Sequence, residues 1–142
     1  NDLYFFISCK FSHRKTAPPI VRLCLTIGVQ FRLNLFCPED WQIEAPIRYK
    51  VDDKKRTIIP DVKYRDSDGI LNAVEIDRTQ MMNVNSEKMN KYGEFTVYYK
   101  NKYNGKVPIL HFFTLTPFRQ KTLEQFAVQQ GVYAKVYVIP EV

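Results

Sequence analysis

Apolar and polar positions alternate without a break over residues 23–35. Leu23, Leu25, Ile27, Val29, Phe31, Leu33 and Leu35 are separated by Cys24, Thr26, Gly28, Gln30, Arg32 and Asn34. A period of two marks a strand with one buried face. The same stretch also places Ile20, Cys24, Ile27, Phe31 and Leu35 along one side of a helix. Thr16 would cap that helix, and Pro18 and Pro19 would fall in or near its first turn, where a missing N–H costs little. Gly28 weakens either assignment. The local pattern favours strand, and the helix stays open as the alternative.

The rest of the chain punctuates more clearly. Residues 3–7 form a short apolar run with the character of a strand, and residues 9–16 are polar and basic. Residues 38–41 are a break. Residues 42–49 predict a strand in which Pro46 indicates an edge or a bulge. A charged turn spans 51–56. A second strand follows over 57–64, interrupted by Pro60 in the manner of a bulge or an irregular strand end. Asp66, Ser67, Asp68 and Gly69 have the chemistry of a tight hairpin connection. Residues 70–76 predict a central strand with Leu71, Ala73 and Glu75 on one face and Asn72, Val74 and Ile76 on the other. After a polar joint over 79–85, Asn85 or Ser86 can cap a helix that runs to Tyr99 or Tyr103. Its inward stripe is Met89, Tyr92, Thr96, Tyr99 and Tyr103, with Phe95 beside it. Asn104 and Gly105 end this unit. A buried strand over 107–116 precedes a helix over 117–130, whose Phe118, Leu123, Phe126 and Ala127 face the sheet and which Gly131 stops. A final strand covers 132–139. The order is helix or strand, then β-β-β-α-β-α-β, an α/β domain with a mixed sheet.

Composition adds limits. The chain has 142 residues, and 45% of them are apolar, enough for one domain with a hydrophobic core. The formal charge of +6 leans weakly toward an acidic partner such as nucleic acid. Cys9, Cys24 and Cys37 show no paired metal-ligand spacing, which suggests reduced thiols and a cytoplasmic setting. No apolar run has membrane-spanning length. The sequence opens at Asn1 without a signal-like stretch, as would a domain cut from a longer protein.

The candidate chemistry centres on carboxylates. Asp61 and Glu75 flank one turn at strand positions, and a sheet has little reason to collect buried carboxylates unless something positive satisfies them. Hard carboxylate oxygens suit Mg²⁺ or Mn²⁺, so Asp61 and Glu75 are the candidate metal ligands, with the carbonyl of Ile76 as a further donor. Asp77 would support them from the same face. Lys88, in the following helix, is the candidate to face a scissile phosphate. The structural alternative assigns Asp61 to the broken backbone near Pro60, pairs Glu75 with Arg78, and uses Asp77 to orient the joint before the helix. His111, in a buried run, reads as a satisfied core histidine, and His13 as a surface or capping one. Arg14, Lys15, Lys54, Lys55, Arg56, Lys100, Lys102 and Lys106 either flank a groove or form solvated surface. The sequence carries no glycine-rich phosphate loop, no HExxH and no nucleophile elbow.

Pro60-Asp61, Glu75-x-Asp77 and a helix bearing Lys88 and Tyr92 resemble the PD-(D/E)xK nuclease-like superfamily. The pattern is more similar still to the replication-relaxation family of plasmids and conjugative elements. That family's features fall on Trp41 and Glu44, Pro60 and Asp61, Glu75 to Arg78, and Lys88, Met89 and Tyr92. The resemblance covers the chain from about His13. It implies a restriction-endonuclease-like αβββαβ core with a mixed central sheet, plus an additional C-terminal helix and strand. It therefore favours helix over residues 17–35. Residues 1–12 would be the remnant strand and linker of an N-terminal winged-helix domain, and 13–142 the nuclease-like domain.

The implied activity is divalent-metal-dependent DNA cleavage or nicking in plasmid replication or conjugative transfer. Asp61, Glu75, Asp77 and Lys88 would be catalytic, with Glu44 and Tyr92 supporting them. Arg14, Lys15, Arg78 and Lys91 would contact DNA. Implied partners are DNA, a relaxase or replication protein, and a second copy in a homodimer. One departure matters: the superfamily's lysine normally stands two positions after the acidic residue, where this chain has Asp77. Either Lys88 has taken that role, or the domain is a catalytically inactive DNA- or protein-binding accessory. Arg78 cannot substitute as a base at neutral pH.

Overall fold

The computed structural model describes residues 42–77 and 81–138. Expectations for residues 3–7 and 17–35, and for His13, Arg14, Lys15, Trp41 and Arg78, lie outside them.

The described chain is a mixed α/β fold. Its strands are β1 (Gln42–Ile43), β2 (Ile47–Val51), β3 (Lys54–Ile58), β4 (Val62–Arg65), β5 (Leu71–Ile76), β6 (Ile109–Thr114) and β7 (Ala134–Val138), and its helices are α1 (Met82–Lys102) and α2 (Pro117–Gln130). The central sheet has the order β1-β4-β5-β6-β7. β1, β4 and β5 pair antiparallel, while β5-β6 and β6-β7 pair parallel through helical crossovers.

The two prolines do more than was expected of them. Each of the two strands expected over 42–49 and 57–64 is split at its proline, and the four pieces form one bent ribbon. The inner pieces join the central sheet, with Ile43 opposite Val62. The outer pieces form a separate two-stranded sheet, with Ile47 opposite Ile58 and Val51 opposite Lys54. Pro46 and Pro60 stand on facing strands between these registers, where neither can donate to a ladder. The bend is stitched by Glu44 N–H donating to the Asp61 carbonyl (3.1 Å) and by Lys63 Nζ donating to the Pro46 carbonyl (2.9 Å). The charged turn is also shorter than expected. Lys54, Lys55 and Arg56 belong to β3, and Asp52 and Asp53 alone make the turn with φ of 48° and 63°. That left-handed pair is what a two-residue hairpin connection requires.

The ribbon folds over α1. Tyr49, buried on β2, meets Phe95 edge-on at 5.6 Å and donates its hydroxyl to Glu94 Oε2 at 3.0 Å. α1 presents Met89, Tyr92, Phe95, Thr96 and Tyr99 inward as expected, with Tyr103 half-buried. It begins four to five residues earlier than expected: Met81 stands at the cap position without a side-chain cap, and Asn85 is buried inside its first turns. Gly93 is explained by close packing, since a Cβ there would stand 2.7 Å from the Gln130 carbonyl of α2. α2 matches its expected bounds, with Thr116 Oγ1 accepting from Arg119 N–H and Gly131 in the left-handed conformation that closes the helix. Leu123 and Ala127 face inward, whereas Phe118 is 78% exposed and does not face the sheet. The Asp66–Gly69 turn forms as read, with Asp66 Oδ1 accepting from the N–H groups of Asp68 and Ile70.

Candidate functional site

β5 is buried along its whole length, and its alternation sends Glu75 to the same face as Leu71 and Ala73, toward α1. Glu75 is 1% exposed. Its Oε1 accepts from the Tyr92 hydroxyl at 2.7 Å, and its Oε2 accepts from Lys88 Nζ at 3.2 Å. Lys88 and Tyr92 are four residues apart on α1, so one helical face delivers both donors. Asp61 arrives from the bend of the ribbon. Its Oδ2 accepts from the Ile76 N–H at 2.7 Å, which fixes the carboxylate beside the end of β5. The irregularity at Pro60 thus aims a carboxylate at the neighbouring strand.

The charges in this cluster are mutually dependent. Burial pushes the Glu75 carboxyl up to about 7, and the neighbouring Asp61 charge pushes the same way, while Lys88 and Tyr92 pull against them. Burial also raises Asp61, opposed by the Ile76 N–H and the Lys88 ammonium, with Glu44 adding repulsion. Burial and the Glu75 carboxylate hold the Tyr92 hydroxyl well above its usual range, so it remains a donor. Lys88 is the shared cation of both carboxylates, and its side chain is 29% exposed.

Asp77 has a different environment. Arg119 grips it with two bonds, Nε to Oδ2 and Nη2 to Oδ1, both 2.7 Å, and Thr114 Oγ1 donates to Oδ2 at 2.8 Å. Burial pushes this carboxyl up, but the bonds from Arg119, Thr114 and Asn85 outweigh it and hold the group below its usual value. Asp77 is therefore compensated by its own arginine at the end of β5. Sequence reading missed Arg119 and Asn85. The signal for Arg119 was its place in the first turn of the helix after β6. A buried acid at the C-terminal end of one parallel strand needs a cation from an adjacent connection.

Of the other expected site residues, Glu44 is exposed on the bend with φ of 49°, near enough to repel Asp61. Lys91 is exposed on α1, one turn past Lys88, and its carbonyl is 3.4 Å from the Tyr49 hydroxyl. His111 is a buried sheet histidine as expected. Asn72 Oδ1 lies 2.8 Å from Nε2, and the Tyr137 hydroxyl 3.1 Å from Nδ1. Burial, with Lys135 adding to it, brings its pKa down to about 4.

Among the described residues, no group of three or more His, Cys, Asp or Glu side chains is arranged to hold a metal ion. Asp61 and Glu75 remain a pair of hard oxygen donors whose carboxyls are both raised by burial, Glu75 further by the Asp61 charge and Asp61 further by Glu44. A divalent cation would relieve that repulsion. Mg²⁺ is commonly held by one or two carboxylates, with waters and substrate phosphate oxygens completing the shell, so the donor set fits such an ion. No described helix is long and apolar enough to cross a membrane. Compared with known proteins, the chain matches no family model and no curated protein.

Proposed function

We propose that this chain is a divalent-metal-dependent DNA endonuclease or nicking accessory built on a restriction-endonuclease-like core, of the kind used in plasmid replication or conjugative transfer. The observation that supports it most is the meeting of Lys88 from α1, Glu75 from β5 and Asp61 from the ribbon bend. The sequence lacks a lysine two positions after Glu75, and Lys88 supplies an ammonium from the helix instead. The sheet order also supports the reading, with three antiparallel strands followed by a parallel strand after a helix.

In this reading Asp61 and Glu75 hold Mg²⁺ or Mn²⁺, which when bound lowers the pKa of a water and stabilises charge on phosphoryl oxygens. Lys88 neutralises charge that develops on the scissile phosphate. Tyr92 fixes the rotamer of Glu75 through its 2.7 Å bond. Asp77 and Arg119 hold the end of β5 rigid and take no part in proton transfer.

A second reading, a catalytically inactive DNA- or protein-binding accessory domain, is favoured by one observation. Both oxygens of Glu75 are already engaged by the chain's own Lys88 and Tyr92. The variant K88M separates the two. Under the nuclease reading it still binds Mn²⁺, while nicking of supercoiled plasmid falls at least about 100-fold, the scale of a lost transition-state charge contact. If wild type and K88M bind Mn²⁺ alike and neither nicks DNA, the accessory reading replaces it.

A further inference from the structure

The outer face of the β2-β3 ribbon concentrates positive charge that no ion pair balances among the described residues. Cross-strand partners share a face, so Arg48 with Thr57 and Lys50 with Lys55 project together away from α1, while Ile47, Tyr49 and Ile58 are buried on the other side. All four outward residues are exposed. Lys50 stands directly opposite Lys55, an arrangement that costs stability. Among the described residues, neither ion pair involves the ribbon's cations. Its two aspartates, Asp52 and Asp53, are confined to the turn, where the left-handed backbone favours them. A groove of about 360 Å³ is lined by the four outward residues together with Tyr49, Arg56 and Tyr98 from the α1 side of the ribbon.

We propose that the β2-β3 ribbon and this groove are a docking surface for the phosphate backbone of DNA. Several observations select that occupant. Like charges held in register on a two-stranded ribbon, against their own repulsion, complement a polyanion with repeating charges. The outward face offers no apolar side chain for insertion into a membrane, which disfavours a lipid surface. The contacts are lysine and arginine side chains without a recognition element, so they give affinity without reading sequence.

The ribbon is also placed to serve the cluster at Glu75. It is covalently continuous with Asp61 through the Pro46 and Pro60 bend, and it packs on α1 through Tyr49 and Glu94. Tyr98, at the groove, is about 15 Å along α1 from Lys88. With a rise of about 3.4 Å per nucleotide along one strand, the groove would hold DNA roughly four to five nucleotides from the phosphate at Lys88. This placement rests on the nuclease reading, whereas the docking does not.

The test is the salt dependence of duplex binding, measured with the full chain in EDTA so that cleavage plays no part. For wild type, the logarithm of affinity should fall linearly with the logarithm of salt concentration. In K50Q/K55Q the slope should be shallower by about 2, because each lost phosphate contact removes about one ion. Between about 50 and 200 mM salt, wild type should therefore lose about tenfold more affinity than the variant does. K121Q/K135Q, with the same charge removed from exposed positions on α2 and β7, should keep the wild-type slope. Thermal unfolding checks that both variants fold. A slope unchanged in K50Q/K55Q, or reduced equally in K121Q/K135Q, overturns the proposal. So does ribbon-dependent binding to phosphatidylserine vesicles in the absence of DNA binding. Failure of plasmid nicking with the slope change intact would remove the nuclease reading and leave the docking surface standing.

Discussion

Glu75 and Asp77 stand two residues apart near the end of one strand, and both are buried to 1% exposure or less. Yet burial prevails at Glu75 and loses at Asp77. Asp77 meets the planar fork of Arg119 with two 2.7 Å bonds and a threonine hydroxyl besides. Such a bidentate pair compensates the charge almost completely. Glu75 meets a single ammonium at 3.2 Å, a tyrosine hydroxyl, and a second carboxylate that repels it. Its charge is undercompensated, and its carboxyl sits near neutral pH. A site that must bind a cation or stabilise a changing charge needs the second condition, while a strand end that must stay fixed needs the first.

The most severe way to break this comparison is to remove Arg119. R119A leaves Asp77 buried without its cation, and unfolding free energy should fall by about 3–5 kcal/mol. A urea titration at neutral pH measures it. A loss below about 1 kcal/mol would mean that Asp77 is not held as described.

The pH profile sharpens it next. Glu75 has its folded value raised from 4.5 to about 7, so the folded state binds more protons in that window and this residue lowers stability as pH rises through it. His111 has its folded value depressed from 6.5 to about 4, so the unfolded state binds more protons and this residue raises stability as pH rises from about 4 to 6.5. The two trends oppose each other in wild type. E75Q removes one of them, and its stability should climb more steeply than that of wild type between pH 4 and 6.5, by up to about 3 kcal/mol from His111, with the raised Asp61 carboxyl offsetting part of the climb in both proteins. Asp77, held low, contributes stability that is present above its unfolded value and lost only as pH falls through its depressed folded value, below this window. Urea midpoints for the two proteins across the range decide the matter, and superimposable profiles would contradict the assignment.

The smallest effect belongs to Lys88. In K88M, Glu75 keeps its Tyr92 bond and can take up a proton, so neutral-pH stability should change by no more than about 1 kcal/mol. A loss as large as that of R119A would place Lys88 and Glu75 with the structural ion pairs.

Much of this was legible in the sequence. The alternation of β5 gave the face of Glu75, the stripe on α1 gave Tyr92 and Met89, and Gly131 marked the end of α2. Local pattern could not show that Pro46 and Pro60 would fall together in the gap between two strand pairings, because that depends on register between distant segments. For the same reason the outer halves of two expected strands became a separate basic ribbon. The first turn of α1 was missed because its start carries no side-chain cap. Exposed Phe118 shows the opposite error: a large apolar residue at N2 of a helix was assumed to be core. Arg119 escaped because its partner Asp77 lies 42 positions earlier in the chain.

The central claim is that Asp61 and Glu75 hold a divalent cation beside Lys88 for phosphodiester cleavage. Its most direct test is calorimetric titration of Mn²⁺ into wild type and D61N/E75Q, with supercoiled plasmid nicking assayed on the same samples. The account predicts binding heat and nicking in wild type, and neither in the variant, which remains folded. Nicking that survives in D61N/E75Q, or a wild type that gives no Mn²⁺ heat, would contradict it.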